Sequence, residues 1–264
     1  MNTSEEALCK RFLSDGYIIV PVENSNTLDN ITALVDNAIR SRFDPAPTGA
    51  SQSLLDLFHN LIDPSHLNSF RLDLIHSLHK EDWFLNAYHE LAKNAVEMLV
   101  GTELAMQRRV NLSIQLPGDS SSLLPPHADV WAGDSPYEIV QWVPLVNTRN
   151  TKSMFILPME KSCVIHSELH TFSGKSSDEL FDAIKDDVIF PEVKYGEVML
   201  FTQTAIHGNR VNEEGETRWS FNCRFKSLFS PYADKKLGEF FKPVSIKTAT
   251  KIGLEFAAPD GFAK

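Results

Sequence analysis

Cysteine is scarce: Cys9, Cys163 and Cys223 are three in number, widely spaced and without any CxxC pair. That excludes a disulfide framework and a thiolate zinc site, and leaves buried free thiols as the expectation. Long apolar runs are missing as well. No stretch approaches the roughly 20 residues a membrane helix needs, and the start, Met1-Asn2-Thr3-Ser4-Glu5-Glu6, lacks the basic and apolar regions of a signal peptide. The expected location is the cytoplasm. Basic residues are outnumbered, with 25 Lys and Arg against 35 Asp and Glu and a net charge of -10. With no basic stripe, this balance argues against a phosphate-backbone partner. There is no internal repeat and no low-complexity segment.

What the chain does have is apolar content, 42% over 264 residues, enough for the core of one generous domain spanning 1–264. The spacing from Thr3 to Glu6 predicts a capping box and a helix that Gly16 ends, followed by a strand over Tyr17–Val22. Up to residue 101 apolar positions recur at helical spacing, as in Leu28, Ile31, Leu34 and Val35, or Trp83, Leu85, Tyr88, Leu91, Val96 and Leu99. This predicts a mainly helical layer over 1–101, broken at Asp44–Gly49 and at Asp63-Pro64-Ser65.

Beyond it, short strand-like runs separated by turns predict a barrel or jelly-roll core over 102–230, with a C-terminal extension at 231–264 whose role the sequence leaves open. The fold class is thus α+β, with this core behind an N-terminal helical layer. The expected strands are Arg109–Leu116, Glu138–Leu145, Ser153–Leu157, Val188–Val193, Gly196–Thr202 and Arg218–Lys226, interrupted by a helix at Ser176–Lys185 with Ser177 as its cap.

Two residues apart in Pro125-Pro126-His127-Ala128-Asp129, His127 and Asp129 share one face if the backbone is extended. His207 follows another expected strand, just ahead of the turn-forming Gly208-Asn209. Two imidazoles and one carboxylate on one side of an iron leave three positions open, enough for a bidentate keto acid and O₂. An HxD pair alone is weak, because chance or a capped turn also produces it. The strand Arg218-Trp219-Ser220-Phe221-Asn222-Cys223-Arg224-Phe225 adds to it, since its alternate positions are polar throughout. Either it is an edge strand with that face in water, or it puts Arg218 inside a barrel, where a planar guanidinium can clamp a carboxylate.

The set His127-x-Asp129, His207 and Arg218 resembles the iron(II)- and 2-oxoglutarate-dependent oxygenases, in particular the phytanoyl-CoA-dioxygenase-like branch, over roughly Gln115 to Phe225. Ile139-Val140-Gln141-Trp142-Val143-Pro144-Leu145 and Ser153-Met154-Phe155-Ile156-Leu157-Pro158 are similar to that branch's tryptophan strand and the strand after it. Gly133-Asp134-Ser135-Pro136-Tyr137-Glu138 looks like oxygenases of bacterial surface-sugar pathways, including hydroxylases of the Kdo sugar of lipopolysaccharide.

The resemblance implies a double-stranded β-helix (jelly-roll, cupin-like) core and Fe(II) held by His127, Asp129 and His207, with 2-oxoglutarate and O₂ as co-substrates. It implies Arg218 as the clamp on the co-substrate, with Trp142, Asn209 and Gln115 as further contacts. Hydroxylation of a C–H bond is the implied reaction, and a sugar or lipopolysaccharide precursor the implied substrate. An amino-acid or lipid-derived natural product, or a non-catalytic cupin-like module, are the alternatives. Asn209 departs from the branch's small hydroxyl residue, and Pro158-Met159-Glu160-Lys161-Ser162 replaces its Pro-Gly-Ser-His turn, so specificity does not carry over. His166 and His170 are expected in a solvated loop; His59, His66, His76, His79 and His89 are expected on partly exposed helix faces. Trp131 and Asp134 are close enough to the HxD segment to reach a substrate, and Ser220 could share the carboxylate with Arg218.

Overall fold

The chain is described by a computed structural model over residues 3–257 and 259. Helix α1 (Thr3–Asp15) stops at Gly16, whose φ of 82° favours glycine, and hands over to β1 (Tyr17–Pro21). The expected capping box there involves the Thr3 side chain, which lies outside the described residues. The helical layer follows as α2 (Ser25–Arg40), α3 (Ser51–Asp56), α4 (Leu67–Leu78), α5 (Phe84–Glu90) and α6 (Lys93–Val100). Helix α2 is capped by Asn24, which accepts from Thr27 N, and buries the stripe Leu28, Ile31, Val35 and Ile39.

The strands are β2 (Leu104–Gln107), β3 (Asn111–Gln115), β4 (Glu138–Pro144), β5 (Phe155–Ile156), β6 (Glu197–Thr202), β7 (His207–Gly208), β8 (Arg218–Ser227) and β9 (Phe241–Ser245). Helices α7 (Met159–Glu168) and α8 (Ser177–Ile184) lie between β5 and β6, and α9 (Thr248–Glu255) follows β9. Strand pairing is antiparallel. The larger sheet runs β1-β6-β4-β8-β2-β9, with β3 also on β8, and the smaller is β5-β7. The fold is a mixture of helices and antiparallel sheets, and no helix of the described residues is long and apolar enough to cross a membrane.

Strand β8 organises the larger sheet, because β4 lies along one side of it while β2 and β3 share the other. Its odd-even alternation separates two environments. Trp219, Phe221, Cys223 and Phe225 enter the main core against the helical layer, where Phe58 meets Trp219 edge-on at 4.9 Å and Trp219 Nε1 donates to Leu55 O at 3.0 Å. Arg218, Ser220, Asn222 and Arg224 take the opposite face. An edge strand with its polar face in water is therefore not what this segment forms.

Several expectations need correction. Arg109–Leu116 shortens to β3, and β2 precedes it unforeseen. Ser153–Leu157 contracts to β5. Val188–Val193 forms no ladder, only single bridges from Ile189 to Ile156 and from Val193 to Thr148, since Pro191 between them has no N–H to give. The cap of α8 is Ser176 rather than Ser177, closing a capping box with Glu179. Pro158–Ser162 opens α7 instead of making a turn, so His166 lies on a helix and not in a solvated loop. His89 is buried and stacked on Phe225, 5.6 Å between ring centres, because α5 packs that face on the sheet. Of the thiols, Cys223 is buried, Cys9 intermediate and Cys163 exposed on α7.

Candidate metal centre

The HxD segment reaches its place through backbone pairing with β7. His127 N donates to His207 O at 2.9 Å and His207 N to His127 O at 2.8 Å. Ala128 between them is extended, with φ -112° and ψ 134°, and fully buried, so His127 and Asp129 project together to the other side. Asp129 then starts a short 3-10 turn that Gly133 ends in the left-handed region. One ligand atom from each of His127, Asp129 and His207 lies within 4.8 Å of the others, a geometry that can hold one metal ion.

Both imidazoles are oriented from behind. His127 Nδ1 is 2.8 Å from Pro125 O and His207 Nδ1 is 2.9 Å from Ala205 O. A carbonyl only accepts, so each Nδ1 carries the proton and each Nε2 keeps its lone pair for a metal. Burial, with His127 nearby, pushes His207 down to about 4, leaving it neutral and available as a ligand. Burial pulls His127 down too, but its bonds to Asp129 and to Pro125 O outweigh that and raise it. Burial would raise Asp129, yet the contact with His127 and the charge of Arg224 hold its carboxyl well below the usual range.

The triad lines a cavity of about 790 Å³. Arg218 lines it too, 3% exposed, with Nη2 donating to Ser113 Oγ at 3.1 Å. Its Nε and Nη1 have no partner, and neither does the buried Ser220 Oγ next along that face. Burial lowers Arg218 to about 10, so it is still a cation at neutral pH. Unpaired buried cations are costly, and the orphaned fork fits a carboxylate that this chain does not itself provide. Trp142 lines the cavity with Val140 and Phe201.

Two other expected contacts are hydrogen-bonded within the chain. Asn209 lines the cavity, but its Oδ1 accepts from Leu124 N at 2.5 Å and its Nδ2 donates to Ser122 O at 3.2 Å, so its amide fastens the 120–124 loop. Gln115 stands directly opposite Arg218 in the β3–β8 register and is fully buried, with Nε2 donating to Arg210 O at 2.6 Å; it is not among the cavity-lining residues. Trp131 Nε1 donates to His166 Nδ1 at 3.2 Å, away from the cavity lining.

Arg224 is a site residue that the spacing of the HxD motif does not point to. Its Nη2 lies 3.1 Å from Asp129 Oδ2 and its Nε 3.1 Å from Asp134 Oδ1, while Lys235 binds the other Asp134 oxygen. Asp134 thus supports Arg224 and is not among the cavity-lining residues. The strand period does point to it: Arg224 stands three period-2 steps from Arg218, on the polar face that places Arg218 in the cavity.

No protein-family model matches the chain, and no curated protein matches it. Solved structures do. A non-haem monooxygenase, the ThoJ–nickel complex, superposes with a TM-score of 0.56 at 19% identity over 91% of this chain and 84% of that one. EctD from S. alaskensis with bound Fe gives 0.54 at 16% identity over 88% and 79%. HygX from Streptomyces hygroscopicus with nickel and 2-oxoglutarate bound gives 0.51 at 12% identity over 90% of each chain. At these identities the likeness is one of fold: the chain shares its mixed helix and antiparallel-sheet architecture with a non-haem monooxygenase and with proteins whose structures hold iron, nickel or 2-oxoglutarate.

Proposed function

We propose that this chain is a cytoplasmic iron(II)- and 2-oxoglutarate-dependent oxygenase on a double-stranded β-helix, hydroxylating a C–H bond of a sugar or glycoconjugate. The observation that carries the reading is the orphaned fork of Arg218 in the wall of the same cavity as the His127, Asp129 and His207 ligand set. A metal chelated by a keto acid, whose far carboxylate needs a buried cation, answers both features at once.

Iron held by the triad would supply O₂ activation coupled to decarboxylation of the keto acid. The protein's share is orientation and exclusion of water. Pro125 O and Ala205 O fix the imidazoles, and Arg224 occupies one oxygen of Asp129, leaving the other for the metal. Arg218 and Ser220 would hold the distal carboxylate, and Val140, Trp142 and Phe201 supply an apolar wall beside it.

Substrate polarity has its own support. Asn111 Nδ2 donates to Asn222 Oδ1 at 3.0 Å in the cavity lining, which leaves Asn222 Nδ2 and Asn111 Oδ1 as a donor and an acceptor for hydroxyl groups. The Gly133–Glu138 stretch is spent on scaffolding: Asp134 holds Arg224, Ser135 Oγ donates to Pro231 O at 2.7 Å, and Glu138 accepts from Ser135 N at 3.1 Å. Its similarity to surface-sugar oxygenases therefore concerns the framework and not the substrate contacts.

Iron-loaded protein should convert 2-oxoglutarate to succinate, faster when nucleotide sugars or lipopolysaccharide precursors include the true substrate. Asp129→Ala and Arg218→Ala should abolish this. Binding of 2-oxoglutarate without any succinate from the wild type would mean a non-catalytic ligand-binding module instead.

A further inference from the structure

Three arginines line the cavity: Arg71, Arg218 and Arg224. Arg224 is matched by Asp129 and Asp134, each at 3.1 Å. Arg218 is matched by the co-substrate if the oxygenase reading holds. Arg71 is left over. It comes from α4, in the helical layer that covers β3, and is only partly exposed. Its Nη1 donates to Leu112 O at 3.2 Å and its Nη2 to Asn68 Oδ1 at 2.8 Å. Both acceptors are neutral, and among the described residues no carboxylate pairs with it.

A guanidinium has five N–H donors in a planar fork, and two bonds leave donors to spare. Capping the Leu112 carbonyl would account for one of them and needs no positive charge. A full charge retained in the wall of a ligand cavity, half-withdrawn from water, is what recognises an oxyanion. Its position matters as well. Arg71 approaches from the helical layer, whereas the triad comes from the HxD segment and β7, and both line the same cavity.

We propose that Arg71 receives an anionic group, a carboxylate or a phosphate, on the primary substrate. This rests on the oxygenase reading and narrows it to acidic or phosphorylated substrates.

The test uses protein loaded with Ni(II) and 2-oxoglutarate, so that the metal and Arg218 are both engaged, titrated calorimetrically with inorganic phosphate and separately with acetate. Wild type should bind at least one of them saturably, and the tighter of the two identifies the group. Arg71→Gln, which keeps a donor for Leu112 O but loses the charge, should bind it at least tenfold more weakly, and Arg71→Lys should recover part of the affinity. The affinity for 2-oxoglutarate should be unchanged in both variants. The proposal is overturned if wild type binds neither anion, if Arg71→Gln binds as wild type does, or if Arg71→Gln weakens 2-oxoglutarate binding. If wild type takes up no Ni(II) or 2-oxoglutarate, the oxygenase reading fails separately, and the same titrations on metal-free Arg218→Gln protein still decide Arg71.

Discussion

His127 and His207 bind each other through the backbone in both directions, at 2.9 and 2.8 Å, so the two imidazoles are placed by one hydrogen-bonded pair. The approach is close enough to exclude a side chain at the next residue. A Cβ on Gly208 would stand 2.6 Å from Leu124 O and 2.9 Å from Pro125 O, both backbone atoms. Gly208→Ala should therefore cost about 1–3 kcal/mol, as overpacking does, and weaken metal binding with it. Urea unfolding and a Ni(II) titration check the two effects together.

Arg218 makes a sharper case, because its orphaned Nε and Nη1 ask for a flat, two-pronged partner. Lysine offers a point charge and cannot reproduce that fork. Arg218→Lys should raise the KM for 2-oxoglutarate at least tenfold, and Arg218→Gln further, with metal affinity little changed. Steady-state succinate formation against 2-oxoglutarate concentration reads this directly, and an unaltered KM in both variants would remove Arg218 from the co-substrate site.

The pair between Arg224 and Asp129 predicts an effect at a residue that is not itself a ligand. Asp129 Oδ2 is held at 3.1 Å, so the carboxylate presents its other oxygen to the metal. Groups that orient ligands typically contribute 10–100-fold in metal affinity. Arg224→Gln should lower metal affinity by about that range while leaving the fold intact, checked by competition with a chelator and by circular dichroism. Metal affinity equal to wild type would reduce Arg224 to a packing role.

How far these relationships could be read from sequence follows from their range. The helical layer, the polar alternation of β8 and the HxD spacing depend on residues a few positions apart, where period and capping rules apply. The smaller sheet does not. Its strands are two residues long, and Ile189 and Val193 make only single bridges around Pro191, so composition promised a ladder that pairing did not deliver. Asn209 and Gln115 are bonded to Leu124 N and Arg210 O, partners that only the folded chain supplies. Arg224 was legible in period but not in purpose, since Asp129 and Asp134 are distant in sequence.

Glu138 gives a pH dependence. Burial, joined by the charge of Asp134, pushes it up to about 7 despite the bond from Ser135 N. Between an ordinary carboxyl pKa and 7 the folded state then binds more protons than the unfolded one. Stability should fall as pH rises through that window, with a slope of at most about 1.4 kcal/mol per pH unit. Glu138→Gln should abolish this fall: Gln203, 3.3 Å away and with an unpartnered Oε1, can turn to accept from the new amide. Urea midpoints at pH 5 and pH 8 decide it, and an identical pH dependence in the variant would contradict the assignment.

The most direct test is anaerobic titration of the protein with Fe(II) and then 2-oxoglutarate, following the visible charge-transfer band of the chelate. One equivalent of iron should bind, the band should appear only when both are present, and it should be lost in Asp129→Ala and need much more 2-oxoglutarate in Arg218→Gln. A wild-type protein that shows no iron-dependent 2-oxoglutarate binding would contradict the account.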